Sequence, residues 1–144
     1  MNYDDDNIFA KILRGELPSE RVYEDEHTLA IMDIMPRADG HVLVLPKAPA
    51  RNMLDATPEQ LAHCIASVQI LGRAMVKAFD ADGVTVQQFN EAAGGQVVFH
   101  LHYHVLPRRD GVSLRPHTGA MAAQEDLKAN ADKIRSALRE IHKI

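Results

Sequence analysis

His100-Leu101-His102-Tyr103-His104-Val105-Leu106-Pro107 sets three histidines on alternate positions, followed by an apolar pair and a proline. Successive side chains of a β-strand point to opposite faces. A strand here therefore puts residues 100, 102 and 104 on one face, at roughly 6 to 7 Å spacing. Leu101, Tyr103 and Val105 take the other face, as in a half-buried strand. Pro107 lacks the N–H that a ladder needs and marks the expected end of the strand. A row of imidazoles suits either metal binding or phosphoryl chemistry.

The flanking chain reads as strands grouped around one long helix. Ala92-Ala93-Gly94-Gly95-Gln96 precedes the histidines. Its glycine pair either lets backbone N–H groups meet an anion or simply turns a hairpin. Gly83 to Phe89 alternates β-branched residues and reads as a strand. Thr57-Pro58-Glu59-Gln60 starts a helix, with Thr at the N-cap, Pro at N1 and Gln completing a capping box. That helix runs to about Phe79 on a stripe of Leu61, Cys64 or Ile65, Val68, Leu71 or Gly72, and Met75. His41 to Pro46 and Thr28 to Ile34 read as apolar strands, and Arg21 to Tyr23 as a shorter one. A short helix capped by Asp6 or Asn7 runs to about Arg14 and stops at Gly15. Residues 108–118 are turn-rich, and a last helix from about Gln124 to Ile141 carries Leu127, Ile134, Leu138 and Ile141 on one stripe. Grouped strands joined by short turns, with helices packed on them, make the expected class α+β with an antiparallel sheet.

Composition narrows the function. At 144 residues with 46% hydrophobic and 25% charged, the chain is an ordinary globular domain. A net charge of −4 offers no bulk attraction for nucleic acid, so recognition of phosphate has to be local. The one cysteine, Cys64, permits no internal disulfide and fits a reducing compartment; it reads as buried and inert. The acidic start, Met1 to Asp6, is unlike a signal peptide, and no apolar run reaches membrane-spanning length. The expected location is the cytoplasm, with neither membrane nor nucleic acid as partner.

The chemistry divides on the histidine row. A zinc site needs three or four ligands converging at about 2.0 to 2.3 Å, and alternate strand positions converge poorly. CxxC and HExxH spacings are absent, so no metal and no obligatory cofactor are expected. Phosphoryl transfer fits better. A neutral imidazole is a nucleophile near pH 7, a second ring can bind phosphate oxygens, and glycine N–H groups can hold the non-bridging oxygens. Asp33, among Ile31, Met32, Ile34 and Met35, either caps the turn at Pro36 or serves as a ligand. His41 alone is a weak signal.

The row resembles the His-x-His-x-His-x-x signature of the histidine triad (HIT) superfamily. Further stretches look like the superfamily's other landmarks in order: Ile8 to Ile12 with Leu17-Pro18, Val22 to Asp25, Asp33 to Pro36, Gly40 to Lys47, and Asn90-Glu91 through Gly95-Gln96. They cover about residues 7–109. The resemblance implies a HIT-like fold with a five-stranded antiparallel sheet, a long helix and shorter helices, the sheets of two protomers joining across a homodimer. It also implies a HIT domain over 1–109, with 110–144 as a tail whose helix packs on the same domain.

By the same resemblance, His102 would attack the α-phosphorus of a purine nucleotide and form a nucleotidyl-histidine that water hydrolyses. His104 would contact the phosphate oxygens and the leaving group, with His100 and His41 in a supporting network. Asp33 would bind ribose hydroxyls, and Ile8, Phe9, Leu17, Ile31 and Ile34 would line the base pocket. Asn90, Gly95, Gln96, Val97 and Val98 would border the phosphate site. The implied activity is hydrolysis that splits a nucleoside monophosphate from an amine or acyl leaving group, as in the phosphoramidase branch. A dinucleoside polyphosphate hydrolase or nucleotidyltransferase is the alternative within the superfamily, and a non-catalytic nucleotide-binding module the alternative outside catalysis. Three features depart from the phosphoramidase branch. Val97 stands where relatives carry a phosphate-side serine, Asn7 and Ala10 where some carry a zinc-binding Cys pair, and the tail is unlike their short C-terminus.

Overall fold

The computed structural model describes residues 2–116 and 120–141. Its elements run α1 (Ile8–Leu13), β1 (Arg21–Glu24), β2 (Thr28–Met32), β3 (Val42–Pro46), α2 (Pro58–Phe79), β4 (Gly83–Gln87), β5 (Tyr103–Arg108) and α3 (Gln124–Ile141), with a 3-10 turn at Ala92–Gly94. The five strands form one sheet in the order β1-β2-β3-β5-β4, every neighbouring pair antiparallel. This is the expected α+β architecture. Part of the turn-rich stretch 108–118 lies outside the described residues.

Local signals set the helices. Asn7 caps α1, its side chain accepting from the Ala10 N–H. At α2 the Thr57 hydroxyl accepts from the Gln60 N–H at 3.1 Å while the Gln60 side chain accepts from the Thr57 N–H at 2.9 Å, the expected capping box. Cys64, Val68, Leu71 and Met75 are the buried stripe of α2, and Ile65 points outward. Burial pushes the Cys64 thiol up to about 12, which keeps it protonated and inert.

Packing explains why β2 and β3 are buried at every position. One sheet face, with Ala30, Met32, Val42, Val44, Tyr103 and Val105, packs against α2 and α3 through residues such as Leu71, Leu127 and Ile134. The other face carries Leu29, Ile31, Leu43 and Leu45 beneath Phe9 and Ile12 of α1. Covered on both sides, β3 is buried at all five positions. Ile31, expected to line the base pocket, belongs to this second core at 2% exposure. Among the described residues no helix is long and apolar enough to cross a membrane.

Gly40 closes the fold behind the histidines. It has φ +90°, and an added Cβ would lie 2.4 Å from the Phe79 ring at the end of α2. Gly40→Ala should therefore lower stability by about 2 kcal/mol, through left-handed strain and displacement of that ring. A urea unfolding midpoint unchanged from the native protein would contradict this.

Candidate active site

The histidine stretch departs from the simple strand expected of it. β5 begins only at Tyr103, so His100 and His102 precede the strand, and it continues through Pro107 to Arg108. The backbone before Tyr103 has other partners. The Leu101 N–H donates to the Ala50 carbonyl at 2.8 Å, and the His100 carbonyl accepts from His102 Nδ1 at 2.6 Å. A side chain that bonds its own nearby backbone competes with ladder formation. Pro107 is tolerated because β3 pairs with β5 only as far as Val42 opposite Val105. Beyond that point no ladder on that side needs the missing N–H.

Four imidazoles converge here, and the backbone sets the polarity of each. His100 is fully buried, with Nε2 2.8 Å from the Pro46 carbonyl, which can only accept. Its proton is therefore on Nε2, and Nδ1 accepts from the Tyr3 hydroxyl at 2.6 Å. His102 donates Nδ1–H to the His100 carbonyl, which leaves the Nε2 lone pair as its reactive group. His41 Nδ1 accepts the Arg37 N–H at 3.1 Å, so its Nε2 carries the proton. That nitrogen lies 2.9 Å from His104 Nδ1 and 3.4 Å from Asp33 Oδ2. His104 Nδ1 consequently accepts, and its proton sits on Nε2. The His102 and His104 rings are 5.1 Å apart, centroid to centroid, one presenting a lone pair and the other an N–H.

Burial favours neutral rings. It holds His100 down to about 4, against the opposing pull of the Pro46 carbonyl. Burial likewise lowers His102, against its bond to the His100 carbonyl. Both shifts favour the neutral ring, which leaves the His102 Nε2 lone pair free. Phe9 packs edge-on against it at 4.8 Å between centroids and restrains the ring.

Asp33 takes the expected cap position and also meets a histidine. One oxygen accepts the Met35 N–H at 2.8 Å and caps the turn, while the other faces His41. Asp33, His41 and His104 bring their ligand atoms within 4.8 Å of one another, a spacing that invites a metal. A metal would need the His41 Nε2 lone pair, and the proton would then have to move to Nδ1, which faces the Arg37 N–H donor. In this arrangement the trio orients the His41 Nε2–H toward His104 Nδ1.

The expected phosphate loop is organised differently from its glycine reading. The Gly94 and Gly95 N–H groups donate to the Glu91 and Ala92 carbonyls at 3.0 Å each, so they are turned into the loop. Gln96 is also spent internally. Its oxygen accepts from Asn52 and from the Glu91 N–H, and its amide donates to the Arg51 and Val98 carbonyls. The Asn90 oxygen accepts from the Met53 N–H and from Gln88. Glu91 has φ 64°, ψ 163°, a backbone state that costs a non-glycine residue about 1 to 3 kcal/mol. Arg51 offsets this with a two-pronged ion pair to the Glu91 carboxylate at 2.7 and 3.0 Å, and Asn52 adds a bond at 2.6 Å. These partners hold the Glu91 carboxyl below its ordinary range, the Arg51 bond most of all. Val97 stands 77% exposed at the tip, and Val98 packs against the second core. Ile8, Leu17 and Ile34 are exposed on α1, the segment after it and the turn after β2, open to a ligand.

Sequence reasoning missed Tyr3, Arg51, Asn52 and the Arg37 N–H. A lone tyrosine in an acidic N-terminus carries no motif, and its partner lies 97 residues along the chain. The Arg37 amide, four residues from its partner, is a backbone group that no side-chain pattern marks.

The model of the HIT domain family matches residues 14–111, most of the chain. The chain belongs to the HIT family. An uncharacterised HIT-like protein of Mycobacterium tuberculosis is 40% identical over 134 residues, covering 92% of this chain and 93% of the relative. The adenylylsulfatase HINT3 of Arabidopsis thaliana is 37% identical over 119 residues, 78% of this chain and 60% of that protein. A crystal structure of a Hit-like protein involved in cell-cycle regulation from Bartonella henselae superposes with a TM-score of 0.89 at 53% identity, covering 94% of this chain and 99% of that one. Tyr3 and the helix α3 lie outside the matched HIT region.

Proposed function

We propose that this HIT protein is a purine nucleotide hydrolase. It splits a nucleoside monophosphate from an amine or acyl leaving group through a nucleotidyl-histidine at His102. The observation that carries the reading is the opposed polarity of His102 and His104, whose ring centres are 5.1 Å apart. The His100 carbonyl sets the first and the His41 side chain the second. His102 Nε2 bonds to the α-phosphorus as the bond to the leaving group breaks. His104 Nε2–H hydrogen-bonds the oxygens or leaving atom where charge builds. His104 stays protonated throughout, because giving up that proton while Nδ1 accepts from His41 would leave an imidazolate. The leaving group takes its proton from solvent, attacking water returns one, and the rings end the cycle as they began.

The name of the Arabidopsis relative, an adenylylsulfatase, supports an adenylyl substrate. The chemistry asks for no obligatory cofactor and no metal. A homodimer belongs to the same reading: β4 is an edge strand with Val86 exposed, and Ile65 and Val76 are exposed on α2. So does a division into a HIT domain over 1–109 and an appended tail over 110–144, in a reducing cytoplasm without membrane or nucleic-acid partners. Light scattering that found a monomer would count against the dimer.

The test is turnover of an adenosine phosphoramidate against a diadenosine polyphosphate, with chelator present. The expected result is preference for the phosphoramidate. Preference for the dinucleotide would shift the assignment to the polyphosphate hydrolases with the same nucleophile. Absence of turnover with tight nucleotide binding would reject catalysis for a binding module.

A further inference from the structure

Tyr3 makes a contact that the family match does not cover. Its ring meets His100 edge-on at 5.6 Å between centroids, and its hydroxyl reaches the His100 Nδ1 at 2.6 Å. Because His100 Nε2 is committed to the Pro46 carbonyl, the ring nitrogen facing Tyr3 is a lone pair and the hydroxyl is the donor. His100 is also the residue whose carbonyl receives the His102 Nδ1–H. A continuous line of hydrogen bonds and one peptide unit therefore runs from the N-terminal segment to the nucleophile. The segment itself is anchored: Arg51 donates to the Asn2 carbonyl at 3.2 Å, and Arg14 to the Asp5 carbonyl at 2.9 Å. Arg51 is the residue that holds Glu91, so one strap touches both the histidines and the loop before them.

We propose that Tyr3 is a positioning residue for nucleotidyl transfer: it locks the ring and tautomer of His100 and thereby holds the carbonyl that fixes the His102 Nε2 lone pair toward phosphorus. The proposal rests on His102 as the nucleophile. Removing the hydroxyl leaves a buried ring nitrogen without its donor, and the His100 ring and its carbonyl gain freedom to shift. Small misplacement of a reacting group is costly in rate and cheap in ground-state binding.

Tyr3→Phe tests this, since it keeps the ring and removes one O–H. Formation of the nucleotidyl-enzyme in a single turnover should slow by about tenfold or more, with AMP affinity unchanged. The acid limb of kcat should move to higher pH, because the neutral His100 loses the donor that favours it. Rates within twofold of the native protein and an unmoved acid limb would overturn the role. So would rate, AMP affinity and unfolding midpoint all falling together, the mark of a purely structural contact. Nitrogen-15 NMR of the imidazoles separates this from failure of the functional reading. If the native protein turns over nothing, a His102 tautomer signal changed by Tyr3→Phe still supports the link, and an unchanged signal rejects it.

Discussion

His102→Ala should lower turnover at least about 10⁴-fold while leaving AMP affinity within a few-fold of the native protein. The methyl group of alanine offers no lone pair, and no other ring in the site can replace it. His104 accepts at Nδ1 and keeps its Nε2 proton, His41 is held between Arg37 and His104, and His100 is buried with both nitrogens engaged. Binding should survive because the residues proposed to meet base and ribose lie on other elements, among them the exposed Ile8, Leu17 and Ile34. The measurements are kcat with a phosphoramidate, AMP binding by calorimetry, and acid-quenched trapping of the covalent species. Residual activity within about tenfold of native, or a trapped nucleotidyl-enzyme in the variant, would remove His102 from its role.

Acid should destabilise the fold through the same rings, on the order of 3 kcal/mol from His100 alone. The His100 ring is held down to about 4 in the native state, whereas in the unfolded chain it titrates near 6.5. Between those values the unfolded chain binds a proton that the native chain refuses. Stability is therefore fully present above about pH 6.5 and falls as pH drops toward 4. His102, also lowered by burial, adds a contribution of the same sign. Urea midpoints at pH 8, 6 and 4.5 read the slope, and His100→Gln isolates the ring from the carboxylates, which titrate lower. A midpoint flat between pH 6.5 and 4.5, or the same slope in the variant, would refute the assignment.

Both predictions depend on hydrogen bonds that a sequence pattern reaches only in part. The spacing of His100, His102 and His104 marks the site, and the pairing of β5 with β3 and β4 does put His104 opposite Leu43 and Gln87. The same pattern misplaces the start of the strand, because the competing bond from His102 to the His100 carbonyl is a matter of ring orientation. Gly94 and Gly95 look like an anion cradle, yet their N–H groups close the loop on itself. Gln96, expected beside the phosphate site, clips that loop through its own hydrogen bonds.

What the sequence determined by itself was short in range. Periodicity and capping at Thr57 and Asn7 set α2 and α1, the apolar runs set β2 and β3, and the stripe of Leu127, Ile134 and Leu138 set α3. Each of these depends on neighbours within a few residues, where side-chain spacing and backbone geometry are coupled directly. The tertiary structure alone decided which nitrogen of His100 and of His104 holds its proton. Those choices are made by Tyr3, 97 residues from His100, by the Pro46 carbonyl, 54 residues from it, and by His41, 63 residues from His104. A tautomer is set by whichever donor or acceptor packing brings to the other nitrogen, and only the folded chain brings them together.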